Sequence, residues 1–235
     1  MWKRNNTKIA ALLSLNIKFD FRLHILFYMM KNQFLAVFIS FFIIYGVANA
    51  QTPFERLGQK AMMGGEFITA ASYFEKAYAS DNGNMNALYL MGYSNYHAND
   101  YKKCIGAFDK LLAMKPTETG AYYYRGKAKV LLAESIKDYR SIEKDRLLLG
   151  AIKDFTTSLE LHPADMKVYQ NRGLAYQDYG VYKSQKIAGV FNKIAAINAL
   201  NLSVNDFQKV LDENEGRKDI TSQIEKSKQI LKDIK

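Results

Sequence analysis

Two patterns of apolar residues divide this chain. Phe34 to Val47 is a fourteen-residue run relieved only by the hydroxyls of Ser40 and Tyr45. Beyond residue 50 the apolar positions recur at i, i+3/i+4 between polar residues, the stripe of an amphipathic helix. Fixed landmarks repeat along these stripes. Glycines fall at Gly58, Gly92, Gly126 and Gly173, separated by 34, 34 and 47 residues. Phenylalanines fall at Phe74, Phe108, Phe155 and Phe207, separated by 34, 47 and 52, and Pro116 and Pro163 are again 47 apart. The Gly-to-Phe distance is 16, 16, 29 and 34, so the longer periods arise from residues added inside units three and four. A glycine or alanine lets two helices approach closely at little steric cost. Phenylalanine belongs to the stripe of the second helix, and proline, lacking an N–H, stops that helix. Each unit is then a helical hairpin that cannot bury its stripe alone, so neighbours stack into a solenoid.

The units occupy residues 51–84, 85–118, 119–165 and 166–215. Unit one carries Leu57-Gly58, a Gly64-Gly65 turn, and Ala70, Phe74 and Ala77. Unit two carries Gly92, Phe108 and Pro116, with Cys104 in the small-residue place of Ala70. Unit three has Gly126, Ala151, Phe155 and Pro163; unit four has Gly173, Tyr176, Ser203 and Phe207. These positions resemble the tetratricopeptide repeat (TPR), a 34-residue helix–turn–helix with a Leu-Gly pair, an aromatic, Ala-x-x-x-Phe and a closing Pro. The resemblance implies an all-α, tetratricopeptide-type helical-hairpin solenoid of about four repeats, the last two with insertions. Residues 216–235 read as a C-terminal capping helix, with Ile220, Ile224, Leu231 and Ile234 near one face. The unit-three insert is expected to lengthen both helices around a turn near 138–144. The unit-four insert, with Ile187, Val190, Phe191, Ile194 and Ile197 at helical spacing, is either an extra helix or one long extension, packed on its own repeat.

The apolar run changes the expected destination. Lys31 precedes it, and Ala48-Asn49-Ala50 fits a small-x-small cleavage site before Gln51. Residues 30–50 thus read as a signal peptide, and 1–29 as an upstream extension from a misassigned start, with translation beginning at Met30. The expected product is exported, periplasmic or secreted. The alternative is an uncleaved anchor. The formal charge of +10 invites a nucleic-acid reading, but residues 1–50 hold six Lys/Arg against one acid. The remainder carries 27 basic and 22 acidic residues with both signs interspersed, an ordinary solvated surface. No nucleic-acid partner is expected.

Candidate chemistry is sparse. Cys104, the only cysteine, excludes an intrachain disulfide, and no His or Cys partners it as a nucleophile. His97 and His162 join no set with metal-ligand spacing, and no phosphate-binding or dinucleotide motif occurs. No cofactor or metal is expected. The family's first helices line a concave face that takes peptides or protein segments. The matching positions are Tyr89, Tyr93, Tyr96 and His97 from unit two, Tyr123 and Lys127 from unit three, and Gln170, Leu174 and Gln177 from unit four. The carboxylate clamp of some family members would fall on Glu55, Gln59, Leu90, Gly120 and Tyr124, none of them cationic, so a chaperone tail is not the expected ligand. The resulting expectation is a non-catalytic exported scaffold that binds a protein or peptide. The alternatives are a membrane-anchored assembly factor and an enzyme with a site near the unit-four insert.

Overall fold

The computed structural model describes residues 51–234. The readings made on residues 1–29 and 30–50 lie outside them. The described residues form nine α-helices and no strand: α1 Pro53–Met63, α2 Phe67–Ser80, α3 Met85–His97, α4 Tyr101–Met114, α5 Thr119–Ser135, α6 Ile142–Leu161, α7 Met166–Ser184, α8 Lys193–Glu213 and α9 Lys218–Ile234. Each helix packs chiefly on the next in sequence, giving four hairpins stacked side by side with α9 against the last. The fold is the expected helical-hairpin solenoid.

Local chemistry sets the helix ends. Thr52 caps α1 through its hydroxyl, Glu55 bonds back to the Thr52 N–H, and Pro53 occupies the first turn. Asn84, Asp100, Asp165 and Asn192 cap α3, α4, α7 and α8. Pro116 and Pro163 lie just beyond α4 and α6. The α1–α2 turn uses Gly65 at φ +76°, and the α3–α4 turn places Asn99, its equivalent 34 residues on, at φ 60°. Asparagine is the non-glycine residue that best tolerates this region.

One contact recurs in every hairpin. The rings of Phe74, Phe108, Phe155 and Phe207 are wholly buried and lie over Gly58, Gly92, Gly126 and Gly173. A Cβ added at these glycines would meet the ring at 2.8, 2.8, 2.9 and 2.9 Å respectively. Cys104 is fully buried beside Phe108, and burial pushes its thiol up to about 12, so it is a small core side chain.

Both inserts lengthen the two helices of their own hairpin. The connection in unit three is residues 136–141, a little earlier than expected, because Glu143 and Asp145 favour a helix N-terminus starting at Ile142. In unit four no additional helix forms: α7 and α8 are both extended, joined by residues 185–192 with Gly189 at φ +81°. Gly180 faces Leu200 there, a further close approach in which an added Cβ would lie 2.6 Å from Leu200 Cγ.

Candidate functional site

The first helices α3, α5 and α7 and the capping helix α9 share a groove. Tyr96 from α3, Lys127, Val130, Leu131 and Glu134 from α5, Asn171, Leu174 and Asp178 from α7, and Gln223 and Lys226 from α9 surround a 270 Å³ cavity. The i, i+3, i+4, i+7 spacing on α5 and the i, i+3, i+7 spacing on α7 put each set on one helix face. A larger cleft of 550 Å³ opens between α2 and α4, bordered by Ile68, Glu75, Lys103 and Lys110. It contains none of the residues expected to bind.

At the α3 end the groove continues into an aromatic wall. His97 stacks on Phe67 at 4.8 Å, and Tyr93 lies 4.4 Å from His97. Tyr124 meets both Tyr93 and Tyr96 edge to face, at 5.1 and 5.4 Å. Lys127 sits 5.1 Å from the Tyr96 ring centroid and 5.4 Å from that of Tyr123, a cation held between two aromatic rings. Partial desolvation, and then the charge of Lys127, push the His97 imidazole below its ordinary pKa, favouring its neutral form.

The expected binding residues therefore divide. Tyr93, Tyr96, His97, Tyr123 and Lys127 come together on this wall. Tyr89 turns into the interface between units, packed on Phe108 with its hydroxyl against Gly120. The unit-four residues are engaged by α9, because the cap needed to close the stack lies over the same stretch of α7. Gln177 is 1% exposed and donates to the Gln223 carbonyl and the Ser227 hydroxyl. Gln170 accepts from Arg217, and Leu174 packs in the cluster with Phe207 and Ile220. Glu55 is buried by its capping role, with Asn86 donating to it at 3.3 Å.

The polar groups at the α7 end escaped the sequence reading. Burial first, and then the charge of Glu134, push the Asp178 carboxyl up to about 6, against the opposing pull of Lys226 and Lys144. The Gln223 side-chain carbonyl oxygen is buried nearby without a hydrogen-bond partner among the described residues. Two buried ion pairs were also missed. Arg125 binds Asp154 through two contacts of 2.9 and 2.5 Å, joined by Lys129 and Asp109, and Arg172 binds Asp206 at 2.7 and 2.8 Å. Each arginine directly precedes a ring-facing glycine and each aspartate directly precedes its phenylalanine. The doubled Arg-Gly and Asp-Phe dipeptides were the signal available in the sequence.

No protein-family model matches the chain, and no curated protein does. Among solved structures the chain is similar to TTC0263, a thermophilic TPR protein of Thermus thermophilus. That match has 19% identity over 76% of this chain and 98% of the other, with a TM-score of 0.47. MamA from Desulfovibrio magneticus RS-1 matches at 18% identity over 78% and 98%, with a TM-score of 0.48. An O-GlcNAc transferase mutant of Thermobaculum terrenum matches at 15% identity and a TM-score of 0.44; the match covers 66% of this chain and 25% of that one.

Proposed function

We propose that this chain is a non-catalytic scaffold that holds a segment of a protein partner in the groove along α3, α5 and α7. The observation that carries the reading is the groove itself: three successive first helices and the cap converge on one cavity, continuous with an aromatic wall. Aromatic rings give a large contact area at modest entropic cost. Lys127, Glu134, Asp178, Gln223 and Lys226 supply polar groups of both signs that fix the register of an extended segment. Export beyond the inner membrane is part of the proposal and rests on Lys31, the apolar run and Ala48-Asn49-Ala50.

The test is capture of partners from an envelope extract by the full chain, compared with a variant carrying Tyr93→Ala, Leu131→Ala and Lys127→Ala. Selective loss of bound proteins, with unchanged helical content, is expected. Retention of every captured protein by that variant would exclude the groove as the binding surface. N-terminal sequencing of the natural protein checks export, the expected first residue being Gln51.

A further inference from the structure

The two inserts place an unusual surface at one edge of the solenoid. Their connections interlock: Val190 is buried against Ala133, Leu147, Leu148 and Tyr182, with Ile136 and Ile187 packed on the same cluster. Lys183 bridges to Asp145 at 2.5 Å, and the Tyr182 hydroxyl donates to the Ser141 carbonyl. The paired tips therefore form one body. Four large apolar side chains project from it instead of packing: Tyr139, Ile142, Phe191 and Ile194 are 47, 84, 48 and 74% exposed.

Charge is concentrated on the same body. Residues 136–146 and 183–194 contain seven Lys/Arg and three Asp/Glu, a net +4, whereas all of residues 51–235 carry only +5. The rest of that region is close to neutral. Glu143 pairs with Arg146 and Asp145 with Lys183, while the Asp138 carboxylate accepts from the Arg140 backbone N–H. Lys137, Arg140 and Lys186 are exposed and enter no ion pair among the described residues. Lys144 lies over the Tyr139 ring, 4.9 Å from its centroid.

We propose that the paired tips are a docking surface for a bilayer containing anionic phospholipid. Projecting aromatic and aliphatic side chains flanked by cations enter the boundary between headgroups and acyl chains, and the cations are drawn to a negative surface. None of the four lines the groove or the cleft between α2 and α4. A soft, negatively charged surface complements both their projection and the local excess of charge. Neither the four projecting side chains nor Lys137, Arg140 and Lys186 line the groove.

A local reporter tests this in the full chain. The native Cys104 is fully buried, and Ala188 is exposed on the unit-four tip. Ala188→Cys, labelled with an environment-sensitive fluorophore, is titrated with phosphatidylcholine vesicles with and without phosphatidylglycerol. A blue shift confined to the anionic vesicles is expected. Replacing Lys137, Arg140 and Lys186 by Gln should weaken that titration by about a hundredfold. Replacing Ile142, Phe191 and Ile194 by Ser should abolish the shift, with thermal unfolding unchanged. Sedimentation of the chain with vesicles while the label stays silent overturns the proposal, because another segment is then the one that binds. Self-association without lipid that the serine variant abolishes also overturns it, because a second copy then covers the patch.

Discussion

The missing side chain of one glycine per unit sets the distance between paired helices. At Gly92 an added Cβ would lie 2.8 Å from the Phe108 ring, which is enclosed on all sides and has nowhere to move. Gly92→Ala is therefore expected to destabilise the fold by about 1–3 kcal/mol as overpacking, although alanine is the better helix former. Ala at Gly106, which faces open space on α4, should be neutral or stabilising. Chemical denaturation of the two variants checks the contrast. Asp178 adds a pH dependence. Its carboxyl rises from an ordinary 3.8 to about 6 on folding, so the folded chain retains a proton that the unfolded chain gives up across that window. This contribution to stability is present at low pH and is lost as pH rises from about 4 to 6. Asp178→Asn should flatten that slope and raise stability at neutral pH by about 1–2 kcal/mol, allowing for partial screening by solvent. An unchanged slope in the variant would show that the carboxyl titrates normally. The close helix approach at the glycine of each unit was legible in the sequence from its recurrence, whereas the phenylalanine ring that fills each approach emerged only in the structure. Asp178 was not legible, because its surroundings come from Glu134 and Lys226, 44 and 48 residues away.

At the scale of elements, hairpin pairing followed from turn residues and periodicity, and the inserts show where that logic ran out. Ile187, Val190, Phe191, Ile194 and Ile197 keep helical spacing, yet Gly189 interrupts the helix and only Val190 of the five is buried. Periodicity records which side chains share a face, but it does not record whether anything covers that face. The capping helix shows the converse. Its buried positions are Ile220, Ile224 and Ser227, the last bonded to Gln177 and Ser203, so the apolar stripe expected to run through Leu231 to Ile234 gives way to a polar contact, with those two half-buried. That contact also occupies the side-chain amide of Gln177, which still lines the groove cavity. The extended hairpins gain a feature that the short ones lack. In units three and four a buried Arg–Asp pair ties the two helices, where units one and two have Leu57 with Tyr73 and Met91 with Ala107. Removing one partner leaves the other charge without compensation. Asp206→Ala should cost about 3 kcal/mol, whereas replacing Arg172 and Asp206 together by Met and Leu should cost far less. Thermal melts of the single and double variants measure the difference.

Across the whole described region, stability is expected to be unequal from one end to the other. A solenoid is held together by each unit and its contacts with the next, so a weak end can open without the rest. The hairpin α1–α2 joins helices of 11 and 14 residues, whereas α5 to α8 run from 17 to 21 residues. The long hairpins also carry the two buried ion pairs and the interlocked tips, and α7–α8 has the most extensive contact of any helix pair. Amide hydrogen exchange should therefore be fastest in α1 and α2 and slowest in α6 to α8. Phe74→Ala, which opens a cavity under Gly58, should accelerate exchange through α1 to α3 and leave α6 to α8 protected. The equivalent change at Phe207 should accelerate exchange throughout, because it weakens the block against which the other units stack. Equal acceleration by both variants at every helix would mean that the solenoid unfolds as one cooperative unit. In that case the groove could not adjust at its α3 end without loosening its α7 end, and a partner would meet a surface of fixed shape.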